Sequence, residues 1–261
     1  MTQRRWVILA ALCAFAAVGT AASGRSSGKQ APQATSSDQP VYTYVALWEV
    51  PRGDWPAAEK YYKDSTPTLN KLVSSGTLVA WGQARAWVHD STGFTHMEWF
   101  TATSFGDIDA TMRALRDVAP LPSAFAKGKH ADEVLRSTIH AHKPGASGSA
   151  MLWIAEYAVK PDQMDDFTQL FDGQIRPLFD DQMGAGSILS YSLNFQAVHT
   201  GNPGRIAIAY MLPNAAAIDK FQAALAADET THPELGPAIL ATMQYAEHRD
   251  SIFEVLAFGQ K

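Results

Sequence analysis

Two short runs place acid–base side chains two residues apart: His96-Met97-Glu98 and His140-Ala141-His142. In a strand, residues at that spacing share a face, so each run presents a pair of ionisable groups side by side. An imidazole next to a carboxylate titrates near neutrality and can take up and return a proton. The same residue types also suit zinc, iron, manganese or copper. Arg136 and Thr138 precede His140 at the same period, adding a cation for an anionic group and a hydroxyl.

Other chemistries lack their residues. Cys13 is the single cysteine and falls in the leader-like amino terminus, which leaves no thiolate nucleophile, disulfide framework or Cys-ligated metal downstream. There is no phosphate-binding Gly-rich loop, GxSxG elbow or dinucleotide fingerprint. A formal charge of −5 gives no basic excess for a phosphate backbone, so nucleic acid is not an expected partner.

The elements that must position these groups are legible as a duplication. Residues 1–22 read as a secretory signal peptide: Arg4 and Arg5, an apolar run from Trp6 to about Val18, and small residues suited to cleavage near Ala22. Residues 23–40, rich in Ser, Gln, Pro and Gly, read as a disordered tether. This predicts a periplasmic or secreted protein with no stable membrane insertion after cleavage.

Two halves follow, 41–145 and 149–261. With Val50 laid on Val159, Tyr44 meets Trp153, Ala46 meets Ala155 and Trp48 meets Tyr157, the alternation of a strand. Helices follow in which Trp55, Ala58, Tyr62 and Leu69 overlie Met164, Phe167, Phe171 and Leu178. Long second strands put Trp81 on Tyr191 and His89 on His199, third strands "FTHMEWF" and "RIAIAYM" come next, and second helices put Asp109 on Asp219. Final strands are expected over Glu133–His142 and Ser251–Gly259. Each half thus reads strand, helix, strand, strand, helix, strand, the ferredoxin-like split βαβ plan.

This duplicated pattern, with "VKPDQMDDF" after a first strand, resembles the dimeric α+β barrel superfamily as a fused tandem pair. Antibiotic-biosynthesis-type monooxygenases, NIPSNAP-like proteins, haem proteins and isomerases share that fold. The resemblance implies an α+β architecture: two tandem βαββαβ halves packed sheet to sheet as an intramolecular barrel, each sheet in strand order 4-1-3-2. It implies monooxygenase-like or isomerase-like chemistry on a small organic ligand. Its haem-binding members need an axial histidine, for which His140 and His248 are the remaining positions.

If apolar residues lie against the helices, His96, Glu98, Arg136, Thr138 and His140 face the barrel side. Overlaying His96 on Arg205 and Val134 on Ile252 leaves the second half without this set. The expected site is therefore in the first half. There His96 or His140 accepts a proton, Glu98 orients it, Arg136 holds an anionic group with Thr138 beside it, and Trp48 and Trp81 rim the ligand. No cofactor is expected. A metal variant would use His96, Glu98, His140 and His142, but strand order 4-1-3-2 sets the two pairs roughly 10 Å apart. A non-catalytic binding or structural module is the rival reading; the oligomeric state stays open.

Overall fold

The computed structural model describes residues 35–36, 39–89, 92–118, 121–199 and 204–261. The leader and most of the tether lie outside the described residues. Strands β2 (Val41–Trp48), β3 (Ala80–Ala86), β4 (His96–Ala102) and β5 (His130–His142) build the first half with helices α1 (Trp55–Ser75) and α2 (Phe105–Val118). The second half holds β6 (Ser147–Ala158), β7 (Ser190–Gln196), β8 (Arg205–Leu212) and β9 (Arg249–Gln260). Its helices are α3 (Met164–Leu170), α4 (Arg176–Gly184), α5 (Ala215–Thr231) and α6 (Leu235–Thr242).

Local chemistry sets the helix ends. Gly76 closes α1 in the left-handed conformation (φ 83°), which glycine adopts without a Cβ penalty. Asn214 caps α5 by accepting the Ala217 amide at 3.1 Å. Where α1 is continuous, the second half breaks its equivalent with a π-helical turn, Phe171–Ile175, between α3 and α4.

The strands run β5-β2-β4-β3 and β9-β6-β8-β7, so each half has the expected order 4-1-3-2. The halves then join at their edges: β3 pairs antiparallel with β9, and β5 with β7. The eight strands close into a barrel with no free edge. Two tandem ferredoxin-like halves therefore enclose one lumen and carry their helices outside. Ahead of them β1 (Thr35–Ser36) pairs with Ala141 and His142, so the expected tether ends in a short strand. No helix among the described residues is long and apolar enough to cross a membrane.

Closure buries both faces of every sheet. Met97, Leu152, Met211, Val255 and Phe258 form an apolar cluster inside the lumen, while Phe167, Phe171, Phe179 and Phe221 pack outside it under the second half's helices. Apolarity therefore does not tell a lumen face from a helix face, which overturns the sequence-based assignment of faces. Met97 and Trp99 point into the lumen, and His96 and Glu98 point outward under α1.

Candidate functional site

Strand register fixes which residues are equivalent between halves. Trp48 pairs with His96 and Ala46 with Glu98; Tyr157 pairs with Ile206 and Ala155 with Ile208. His96 and Glu98 thus correspond to Ile206 and Ile208, one residue on from the overlay read in the sequence. The second half does lack the polar pair.

In the first half this pair sits in a sealed cluster between β4 and α1. Glu98, 4 % exposed, accepts from Gln83 Nε2 at 2.6 Å, and the same nitrogen reaches Ser65 Oγ at 2.8 Å. His96, fully buried, has Nδ1 3.0 Å from Thr95 Oγ1, while its Nε2, the Tyr62 hydroxyl and Gln83 Oε1 have no hydrogen-bond partner in the protein. Burial pushes the Glu98 carboxyl up to about 7, with the Gln83 bond opposing, and pulls His96 down to about 4 with help from the Arg85 charge. Phe125, from the turn Ser123–Ala126, fills the space above, with its ring 4.8 Å from Trp48, 5.7 Å from Tyr61 and 5.9 Å from Tyr62.

The other first-half candidates do not join this cluster. A bulge on β5 between Ser137 and Ile139 reverses the alternation, so Arg136 is exposed on the outer face while His140 and His142 line the lumen. His140 Nε2 lies 3.0 Å from the Gln39 carbonyl oxygen. Thr138 is the bulged residue itself. Trp48 packs on the helix side against Phe125, and Trp81 lies under α1 with Nε1 donating to Asn70 Oδ1 at 3.2 Å. His96 with Glu98 and His140 with His142 therefore occupy opposite faces of the barrel wall, and the expected single catalytic set is not assembled. The four-ligand metal variant fails for the same reason. Among the described residues no group of three or more His, Cys, Asp or Glu is placed to hold a metal ion.

The second half is open where the first is filled. Helix α6 replaces the turn that carries Phe125, and a cavity of about 200 Å³ remains between the outer sheet face and α4, α5 and α6. Its walls are Trp153, Tyr157, Phe179, Tyr210 and Phe221, with Ile208 on the floor and Ile175, from the π-helical turn, above. A π turn inside a helix commonly marks such a site.

At its mouth stand His248 and Asp250, with Asp228, Glu229 and His232 on α5 and after it. His248 lies flat on Tyr157, centroids 4.6 Å apart, and its Nε2 is 3.6 Å from Asp250 Oδ1. The same Oδ1 accepts from Trp153 Nε1 at 2.9 Å. Burial, with the Asp250 charge second, raises the Tyr157 and Tyr210 phenols well above their usual range, so both stay protonated as donors. The cavity is smaller than the ~300–1,000 Å³ of drug-sized ligand pockets, so it suits a compact ligand and not a haem macrocycle.

His248 and Asp250 have direct counterparts. β2–β5 pairing sets His130 opposite Trp48 and Asp132 opposite Ala46, and β6–β9 pairing sets Asp250 opposite Ala155. In the first half His130 stacks on Trp48 at 5.2 Å, its Nε2 lies 3.0 Å from Asp132 Oδ1, and that oxygen accepts from the Tyr44 hydroxyl at 2.5 Å. Among the described residues a His-x-Asp pair on an aromatic platform is thus present twice, and the second copy lines this cavity. The signal in the sequence was "HAD" against "HRD"; it was missed because both last strands begin earlier than their alternation suggests, at His130 and Arg249.

No protein-family profile matches the sequence, and no curated protein is similar to it. Solved structures do share the fold. A candidate monooxygenase from Fusobacterium nucleatum aligns with a TM-score of 0.62 at 12% identity, covering 85% of this chain and 94% of its own. One from Lactobacillus acidophilus aligns with a TM-score of 0.53 at 9% identity, covering 85% and 96%. The chain has the dimeric α+β barrel fold, with both halves in one polypeptide.

Proposed function

We propose that this protein binds a small, flat, uncharged aromatic molecule in the second-half cavity and removes a proton from it there. The observation that carries the reading is the aromatic-walled cavity with the His248–Asp250 pair at its mouth. The walls provide stacking surface, and the tyrosine hydroxyls and Trp153 indole give a few directional polar contacts. Asp228, Glu229 and Asp250 make the mouth unfavourable for a carboxylate ligand. An imidazole beside a carboxylate is a common arrangement of a proton acceptor; here the two stand 3.6 Å apart, outside hydrogen-bond length. Proton removal opens both monooxygenase-like and isomerase-like reactions: the anion either passes an electron to dioxygen or is reprotonated elsewhere. The two candidate monooxygenases of the same fold support the enzymatic side of this reading.

The test separates binding from chemistry. 1-Naphthol is expected to raise the melting temperature and 1-naphthoate to bind at least tenfold more weakly, with Ile239→Trp, which fills the cavity, abolishing the response. Asp250→Asn and His248→Gln should keep naphthol binding. They should lower turnover of any phenol found to be consumed by about 10²–10⁴. Equal binding by Ile239→Trp would overturn the site. Turnover untouched by both mouth variants would leave a binding module without this acid–base step.

A further inference from the structure

The lumen is a separate space from that cavity. Strands β6 and β8 form the wall between them: Trp153, Tyr157 and Tyr210 face outward into the second-half cavity, and Leu152, Ile154 and Ala209 face inward. An eight-stranded barrel is just wide enough for side chains to fill it or for one small ligand to lie in it. Here the inward positions of β2, β7 and β8 carry small residues, among them Thr43, Ser192, Ala207 and Ala209, and a cavity of about 130 Å³ remains. Apolar cavities near 150 Å³ hold a benzene-sized molecule.

Its two sides differ in chemistry. Met97, Leu152 and Met211 belong to the packed apolar cluster, and Trp99 lies against them. Trp99 can lie there because residue 82 is glycine: a Cβ on Gly82 would come within 2.1 Å of its ring. Across the lumen, Ser137 Oγ is 2.5 Å from Asn194 Oδ1, and Asn194 Nδ2 donates to Ser192 Oγ at 2.9 Å and to the Ala207 carbonyl at 3.1 Å. Those side chains satisfy one another. Gln260 does not: it is 7% exposed, lines the cavity, and its Nε2 has no partner in the protein. Among the described residues no Asp, Glu, Lys or Arg lines this space, whose ionisable imidazoles are His140 and His142. Glu133, Glu156, Arg205 and Arg249, linked by ion pairs of which Arg205–Glu133 joins the halves, stand apart from its lining.

We infer that the lumen is a second ligand site, for an uncharged phenol-sized molecule whose ring lies against Trp99 and whose oxygen accepts from Gln260 Nε2. A buried amide donor without an acceptor is costly, and an oxygen-bearing ligand supplies the missing acceptor where a pure hydrocarbon does not. With no Asp, Glu, Lys or Arg among the described lining residues to pair with it, a charged ligand is disfavoured over a neutral one.

Crystals soaked in phenol, together with ¹⁹F NMR of 4-fluorophenol in solution, test this. The expected result is phenol density in the lumen beside Trp99. Ala209→Leu, which fills the space, and Gln260→Leu, which removes the donor, should each raise the dissociation constant of the lumen-bound 4-fluorophenol at least tenfold. Ile239→Trp should leave that constant unchanged. Phenol found only in the second-half cavity or on the surface would overturn the inference, as would unchanged binding by Gln260→Leu. Should Ala209→Leu fail to fold, the wild-type soak and the Gln260 variant decide it.

Discussion

Burial of Glu98 without a cation beside it couples its proton to folding. Its carboxyl rises from 4.5 to about 7 in the folded protein, so between those values the folded state keeps a proton that the unfolded chain has released. Stability therefore falls as pH rises through that window, by a loss on the order of 3 kcal/mol once pH exceeds 7. His96 acts in the opposite sense. It falls from 6.5 to about 4, so between those values the unfolded chain holds the extra proton and stability rises with pH. The two slopes oppose each other from about pH 4.5 to 6.5. In Glu98→Gln only the rising arm remains, and urea midpoints should climb to about pH 6.5 and then level off. A wild-type-like fall above pH 6.5 in that variant would show that Glu98 is not the group responsible. His96 and Glu98 were legible as a pair from their spacing. Their side of the sheet was not, because Met97 and Trp99 on the other face are also buried, in a lumen whose closure no local pattern announces.

At the scale of elements, the two halves differ in the segment after their second long helix. The first half inserts one turn, Ser123–Ala126, and drops Phe125 onto Trp48, Tyr61 and Tyr62. The second inserts α6, which stands off and leaves its cavity. Phe125→Ala should therefore destabilise the protein by about 3–5 kcal/mol and open a first-half cavity over His96 and Glu98. The checks are a denaturant titration and a new binding event for 1-naphthol in a variant that also carries Ile239→Trp. A cost below about 1 kcal/mol would mean that Phe125 does not plug the site. The duplication was readable from period-two alternation and matched turns, and the strand order followed from the resemblance to the dimeric α+β barrel. The β5 bulge was not, since one extra residue leaves the composition of "LRSTIHAH" unchanged in character while it reverses the face of every residue beyond it. That reversal is why Arg136 and His140 part company.

For the whole molecule, duplication with fusion gives one closed barrel whose halves have diverged in opposite ways. The first keeps ionisable groups on the sheet but fills the space above them; the second has isoleucines at the matching positions, keeps its space, and carries the His-x-Asp pair at the opening. Methionines among the described residues report on these regions separately. Met243 lines the second-half cavity, Met97 and Met211 line the lumen, and Met112, on α2, packs against the first half's core. The most direct measurement is a titration of ¹³C-methyl-methionine protein with 1-naphthol, too large for the lumen, followed by NMR. A working pocket in the second half requires a saturable shift of the Met243 methyl with Met112 unmoved. A saturable shift at Met112 with Met243 unchanged would place that pocket in the first half and contradict the assignment.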